Sequence, residues 1–344
     1  MCESTGAGDM TAELSFTVGD LASMRFAVSP MWEVGPSLRL LASRQAHPVH
    51  RPWVEQVRPR VAAAGLDRGW LAELVPPSGY VPDFINPAPA GPAPTLADEL
   101  AAIRATPAER VRRDLDRLRA RRGGGLGPRL RALYADPATG LVRLTEAVEA
   151  YWDVALAPYW ARIRALLDAD VLHRARRAAE HGTASVLNDL HAEVRWAAGA
   201  LRLDRRPRGL DRRTAGSGLL LIPSAFTGPG LFTRVAPPDP PQLAYPARGI
   251  GTLWAARPGP SSDALAAVLG RSRTLLLIEL AAPASTTELA HRTGLSPSAV
   301  SQYLTALRDA GLVSAHRAGR SVLYARTAAA EAVLAPLARA GMDR

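Results

Sequence analysis

The chain has 344 residues, 47% of them hydrophobic, with 42 basic against 32 acidic side chains and a formal net charge of +10. That length and apolar content support more than one packed domain, and the positive balance suits a polyanionic partner without dictating a fold. The single cysteine, Cys2, excludes a disulfide framework and cysteine-rich zinc or iron–sulfur sites.

There is no lysine, so every basic side chain is arginine. Together with abundant Ala, Pro and Gly, this points to a GC-rich coding bias. No apolar run approaches the roughly 18 residues that span a bilayer, and the acidic Glu3 and Asp9 are unlike a signal peptide, so a cytoplasmic protein is expected.

Residues 1–14 are small and polar and are expected to be disordered. Phe16–Val28 is mixed, and Met31–Leu41 and Pro52–Ala64 then carry apolar residues at helical spacing. The prolines between Pro76 and Pro94 rule out regular structure and predict an extended connector. Thr95–Arg122 returns to helix, with Thr106 as an N-cap, Pro107 at the first helical position and Glu109 at the capping-box spacing. Arg112, Arg113, Arg117, Arg119, Arg121 and Arg122 crowd its end, where the helix dipole favours cations, and Gly123–Gly125 should stop it.

Pro137–Glu180 is the longest helical region, and Pro158 should kink or divide it. Past His181, the short apolar runs Val194–Leu203, Gly218–Ile222, Leu231–Val235 and Gln242–Trp254 predict a small irregular sheet. The expected organisation is an N-terminal sensor or partner domain over 15–255, a linker over 256–262 (ARPGPSS) and a DNA-binding domain over 263–344. The fold class is mainly α with minor β: a helical N-terminal domain with a small sheet, then a C-terminal winged helix-turn-helix.

That last expectation rests on residues 285–324. Ser285 is a good N-cap with Glu288 three residues on, a capping box. Gly294 can turn left-handed at the helix end, and Leu295 would pack between the two helices. Ser296 caps the second helix and Pro297 opens it. Val300, Leu304 and Leu307 form its buried stripe, while Ser298, Ser301, Gln302, Thr305 and Arg308 face the other way. Hydroxyls and an amide on one helix face suit base edges and phosphates in a major groove. Gly311 ends the helix, and two strands follow around a turn carrying Arg317 and Arg320, placed to grip phosphate backbone or minor groove. With Thr286 and Thr287 at the start of the first helix, these polar residues and Ser296 are the expected DNA-binding set.

The segment Glu288–Val313 (ELAHRTGLSPSAVSQYLTALRDAGLV) and the wing His316–Ala325 (HRAGRSVLYA) resemble the ArsR/SmtB-type winged-helix transcriptional regulators, over about the last 80 residues. The resemblance implies a homodimer, one second helix per half-site of an inverted-repeat operator, and repression relieved by a signal. The chain departs from metal-sensing members. Ala284–Glu288 carries no cysteine and Ala328–Ala340 lacks an Asp–His ligand pattern, so no metal and no cofactor are expected.

Ala330, Val333, Leu334 and Leu337 form one apolar stripe and Leu265, Val268 and Leu269 another. Either they cover the winged-helix core or they pair with a second copy, and the resemblance favours the dimer. The region upstream is similar, more loosely, to an uncharacterised domain that precedes such motifs in regulators of high-GC bacteria. Phe16–Val34, LLLIPSAFTGPG (219–230) and Leu243–Trp254 carry that likeness. Trp32, Trp53, Trp70, Trp152, Trp160 and Trp196 are concentrated there, and aromatics often line ligand pockets, so a small-molecule effector is an expected partner.

Nothing in the sequence assembles an enzyme. His47 and His50 lie three apart in a proline-bounded loop without further ligands. His173 and His181 stand two helical turns apart. Asp189 and His191 alternate on one element, which gives no dyad. Gly216–Ser217–Gly218 matches neither a nucleophile elbow nor a phosphate loop. The arginine-rich stretches 110–131 and 202–213 could add non-specific DNA affinity, though a solvated helix face and a charged loop are simpler. The alternative to a DNA-binding regulator is a protein-interaction module whose winged helix does not read DNA.

Overall fold

The computed structural model describes residues 12–16, 18–43, 48–122, 125–204, 218–254, 262–318 and 321–339. In chain order, the first elements are β1 (Ala12–Ser15), α1 (Val18–Ala22), β2 (Arg25–Phe26), α2 (Met31–Ala42), α3 (Arg51–Ala63), α4 (Trp70–Leu74), α5 (Leu96–Arg104), α6 (Ala108–Arg122) and α7 (Pro128–Ala135). Next come α8 (Pro137–Ala155), α9 (Trp160–His181), α10 (Thr183–Asn188), β3 (Val194–Ala197), β4 (Ala200–Leu203), β5 (Leu220–Ser224), β6 (Phe232–Arg234) and β7 (Gln242–Pro246). The last are α11 (Ser262–Leu269), α12 (Arg271–Glu279), β8 (Ala284–Ser285), α13 (Thr286–Thr293), α14 (Pro297–Asp309), β9 (Val313–Ala318), β10 (Ser321–Arg326) and α15 (Ala328–Arg339). The chain is mainly α with minor β.

The compact units are not consecutive stretches. One comprises residues 1–37, 81–118 and 167–248, and the other 38–80, 119–166 and 249–344. Helices from the region expected to form a single domain over 15–255 therefore group with the C-terminal winged helix. The expected linker 256–261 lies outside the described residues, and Ser262 already belongs to α11.

In the first unit, the expectation of disorder over 1–14 is corrected at its end: Ala12–Ser15 is a strand. Its Leu14 is buried among Leu187, Leu201, Leu203, Leu221 and Leu243, an apolar anchor that outweighs the polar composition around it. Residues 1–11 lie outside the described residues. Two sheets replace the single irregular one. β4 pairs antiparallel with β1 and β3, and the second sheet runs β2-β5-β7-β6, with β2 and β7 both parallel to β5. Leu220 to Ile222 and Leu243 to Tyr245 are buried without alternation, as expected of parallel strands covered on both faces.

The proline-rich connector contains a 3-10 turn at Asp83–Ile85 whose Phe84 and Ile85 are buried. Beyond it, α5 opens on a capping box between Thr95 and Asp98. Thr106 does not cap α6 as expected. Its hydroxyl donates back to the Ala102 carbonyl, and the Pro107 carbonyl receives the first turn of the new helix.

Polar groups buried in this unit are paired over long sequence distances. Trp32 Nε1 donates to Gln242 Oε1 at 2.8 Å. The Asp170 carboxylate accepts from Arg174 Nε at 3.0 Å, the Tyr245 hydroxyl at 2.8 Å and the Arg248 amide at 3.0 Å. Glu33 accepts from the Ser224 hydroxyl at 3.1 Å and the Ala225 amide at 3.0 Å, and Glu99 from the Ser29 hydroxyl at 2.5 Å and the Met31 amide at 2.9 Å. Burial pushes both Glu33 and Glu99 up to about 7, and these hydrogen bonds offset it only in part.

In the second unit, α8 packs against α3, α4 and α7. Pro158 divides the long helical region as its missing N–H requires: α8 ends at Ala155, a 3-10 turn spans Ala157–Tyr159, and α9 starts at Trp160. An aromatic group surrounds that turn. The Trp53 indole donates to the Ala155 carbonyl at 3.0 Å, and Trp254 meets Tyr159 edge-on at 5.6 Å. Trp254 Nε1 donates to His50 Nδ1 at 2.9 Å.

Candidate nucleic-acid interface

The winged helix is built from local signals that the structure realises one by one. Ser285 Oγ accepts from the Glu288 amide at 3.3 Å while Glu288 Oε2 accepts from the Ser285 amide at 2.7 Å, which closes the capping box. Burial would raise the Glu288 carboxyl. The Ser285 hydrogen bonds and the nearby Arg292 and Arg60 outweigh it, and the group lies below the ordinary carboxylate range. Gly294 ends α13 at a φ of +71°, a backbone that glycine adopts without cost, and its amide bonds the Ala290 carbonyl.

Ser296 then caps α14, accepting from the Ala299 amide at 3.2 Å, with Pro297 at the first helical position. Val300, Leu304 and Leu307 are buried with Leu276, Leu277, Leu280, Leu289, Val313 and Ala330. One arginine fastens the last strand to this core: Arg326 donates to the carbonyls of Leu277 at 2.6 Å and Ile278 at 2.7 Å, and pairs with Glu331 at 3.5 Å.

With the core so fixed, the outer face of α14 is polar and open. Ser298, Ser301, Gln302, Thr305 and Arg308 are exposed, as are Ser296 and Thr287, whereas Thr286 is half-buried. The Thr305 hydroxyl donates to the Ser301 carbonyl at 2.9 Å, and Arg308 approaches Asp309 at 3.5 Å, so both are held while remaining accessible. Arg317 is exposed on β9. Arg320 lies outside the described residues. Sequence reasoning missed Tyr303, half-buried on α14 beneath the Arg273 guanidinium at 5.4 Å from its ring centre.

The terminal stripes divide. Ala330 and Leu334 are buried, whereas Val333 is 40% and Val268 80% exposed. Leu265 and Leu269 are half-buried, and the side chain of Leu337 lies outside the described residues.

The other residues singled out in the sequence do not converge. His50 is buried and engaged by Trp254, and His47 lies outside the described residues. His191 contacts the Pro229 carbonyl through Nε2 and accepts from the Glu193 amide through Nδ1, while Asp189 faces Arg174, Arg177 and Arg248. Gly216 and Ser217 lie outside the described residues, as do residues 205–213 of the second arginine-rich stretch. The tryptophans fall in both units: Trp152 meets Trp160 edge-on at 5.0 Å, Trp196 packs on Phe16 at 6.0 Å, and Trp32 and Trp53 donate to Gln242 and Ala155. Among the described residues, no group of three or more His, Cys, Asp or Glu could hold a metal ion, and no helix is long and apolar enough to cross a membrane.

Comparison with known proteins agrees with this geometry. Residues 270–315 match the bacterial regulatory protein arsR family, and residues 105–251 match a family of unknown function, DUF5937. The HTH-type transcriptional regulator NmtR of Mycobacterium tuberculosis (strain ATCC 25618 / H37Rv) is 42% identical over 64 residues, 18% of this chain and 53% of that relative. The chain thus spans about half the length of the curated relative it matches. No solved structure gives a significant match.

Proposed function

We propose, from the premise that the C-terminal domain is an arsR-family helix-turn-helix, that this chain is a sequence-specific DNA-binding transcriptional regulator acting as a repressor. The observation that carries the reading is the exposed polar face of α14, with Ser298, Ser301, Gln302 and Thr305, beside the exposed Arg317 of the wing. Side chains of this kind on a helix that enters a major groove read base edges, and an arginine beside it binds phosphate.

A homodimer on an inverted repeat is the second part of the proposal. It draws support from the outward Val268 and Val333, since large apolar groups left open on one domain suit burial against a second copy. Two-fold symmetry then sets half-sites about one helical turn apart. In this reading the remainder of the chain receives a small-molecule signal that relieves repression.

Mobility shift on duplex fragments from the region preceding the protein's own coding sequence, at two salt concentrations, tests the core of the proposal. Specific retardation that weakens steeply with salt is the expected result. No retardation at low ionic strength would leave the winged helix as a protein-interaction module. Arg320→Ala should weaken binding to all fragments alike.

A further inference from the structure

Strand geometry divides the wing into two faces. Directly paired residues of antiparallel strands point the same way, and neighbours along a strand point opposite ways. Val313 and Tyr324 therefore lie on the face turned to the winged-helix core, where both are packed. Arg317, paired with Val322, continues that face beyond the core and is exposed. The opposite face carries Leu323 paired with His316 and Ala325 paired with Ser314.

In a winged helix standing alone this second face would be wet. Here Leu323 is 3% and Ala325 2% exposed, and His316 is half-buried. The cover comes from far upstream. α8 packs on β9, and the Ala157–Tyr159 turn packs on both β9 and β10. All of these elements belong to one compact unit. The covering residues fall within the stretch that matches the family of unknown function, so part of that stretch, residues 119–166, shares one compact unit with the arsR-family match.

We propose that residues 137–166 form a clamp on the back of the wing, fixing its pitch against α14 so that DNA affinity is set by how firmly α8 and the 157–159 turn hold β9 and β10. The proposal rests on the regulator reading. The three-stranded sheet is held to the winged-helix core on one face through Val313, Tyr324 and Arg326, and the cover holds its other face.

Polar groups join the apolar ones in this contact. Burial holds the His316 imidazole below its ordinary value, and the Asp153 carboxylate on α8, one turn after Glu149, offsets that only in part; His316 Nε2 also meets the Ser314 hydroxyl at 2.8 Å. Arg162 donates to the Ala281 carbonyl at 3.2 Å, just before β8. Arg60 donates to the Tyr159 hydroxyl at 3.5 Å and also acts on Glu288, the carboxylate that caps α13. The clamp thus bears on the wing and on the first helix of the motif, and leaves the outer face of α14 open. A shift of residues 137–166 would move Arg317 relative to Gln302, which alters how many contacts one duplex can make at once.

The test uses the full chain, with hydrogen exchange of residues 313–326 and binding to its own upstream duplex measured side by side. His316→Glu places a carboxylate against Asp153 and Glu149 and should speed exchange in the hairpin and change the apparent Kd by roughly fivefold or more, the range typical of coupling between sites. Adding Asp153→Lys on α8 replaces that repulsion with an opposite pair and should return both readouts toward wild type. A direct DNA contact by His316 could not be rescued from α8. Tyr159→Ala should loosen the hairpin through packing alone. Faster exchange with unchanged Kd would make the cover merely structural and overturn the clamp, as would exchange unaltered by both His316→Glu and Tyr159→Ala. A wild-type chain that binds no fragment, with a hairpin that still loosens, would sink the regulator reading instead.

Discussion

The groups that shape the winged helix act on near neighbours. Ser285 and Glu288 cap each other across three positions, and Ser296 Oγ accepts from the Ala299 amide over the same span. In the unit built from residues 1–37, 81–118 and 167–248, the corresponding hydrogen bonds join Met31 to Glu99 over 68 positions, Ser224 to Glu33 over 191 and Gly218 to Asp20 over 198. The first kind of bond forms wherever the local backbone is helical. The second forms only where distant segments are brought together, and its carboxylates are buried, so losing a partner leaves a polar group unsatisfied in the interior and carries a larger cost.

That contrast breaks most visibly at Asp170. Its side chain is fully buried, and it is the nearest carboxylate to Arg174, whose side chain is 2% exposed. Asp170→Ala would leave the guanidinium, among the described residues, with Asp189 at 3.6 Å as its remaining carboxylate, and would take an acceptor from the Tyr245 hydroxyl and the Arg248 amide as well. A loss of about 3–5 kcal/mol in urea unfolding is expected, the cost of an uncompensated buried charge. A loss under about 1 kcal/mol would mean that Asp189 takes over and that the long-range network is redundant.

Next in size is the pH dependence of Glu33 and Glu99. Each has a folded value of about 7 against 4.5 for a solvated glutamate, raised by desolvation. Because the folded state binds protons more tightly than the unfolded one, the stability they contribute is fully present below pH 4.5 and falls as pH rises toward 7. Each carboxyl accounts for a loss of order 3 kcal/mol across that window. Glu33→Gln should remove its share of the slope while keeping the shape of the site. An unchanged slope in Glu33→Gln and Glu99→Gln would show that neither carboxyl titrates abnormally.

These differences explain what the sequence made legible. The helix-turn-helix was readable because each device (cap, turn glycine, buried stripe at Val300, Leu304 and Leu307) is written within a few residues. The polar face of α14 follows from the same periodicity. Parallel pairing of β2, β5 and β7 was not readable, since partners such as Phe26 and Leu221 meet across nearly 200 residues with no local pattern announcing it. The strand at Ala12–Ser15 was hidden in a polar leader for the same reason: Leu14 gains its burial from Leu201 and Leu203. The covered back of the wing was hidden too. Its residues Ser314, His316, Leu323 and Ala325 alternate as any half-exposed hairpin would.

On the outer face of α14, smaller effects separate the proposed roles. If α14 reads sequence as proposed, Gln302→Ala should cost about 1–3 kcal/mol at one base pair and relax preference there, while leaving other positions unchanged. Arg317→Ala should weaken all duplexes alike and lower the slope of log K against log salt by about one. Fluorescence anisotropy on a panel of single-base variants distinguishes them. If the two substitutions exchanged behaviours, the wing and not α14 would be the element that reads sequence.

The smallest expected effect sharpens the comparison most, because the two units contain the same local device. Thr95 and Asp98 close a capping box in the first, and Ser285 and Glu288 close one in the second. Thr95→Ala and Ser285→Ala should each cost about 1 kcal/mol if capping depends only on the helix end itself. Ser285, however, also lies on β8 opposite Leu323, and its partner Glu288 feels Arg60. Asp98 and Glu288 both lie below their ordinary values, so what they contribute is present above the unfolded range and lost as pH falls through the folded one. Equal losses at neutral pH, both shrinking in acid to the part that comes from the hydroxyl-to-amide bond, would mark the boxes as interchangeable local devices. A larger loss at Ser285, with faster exchange in β9 and β10, would show that the cap of α13 has become part of the packing behind the wing.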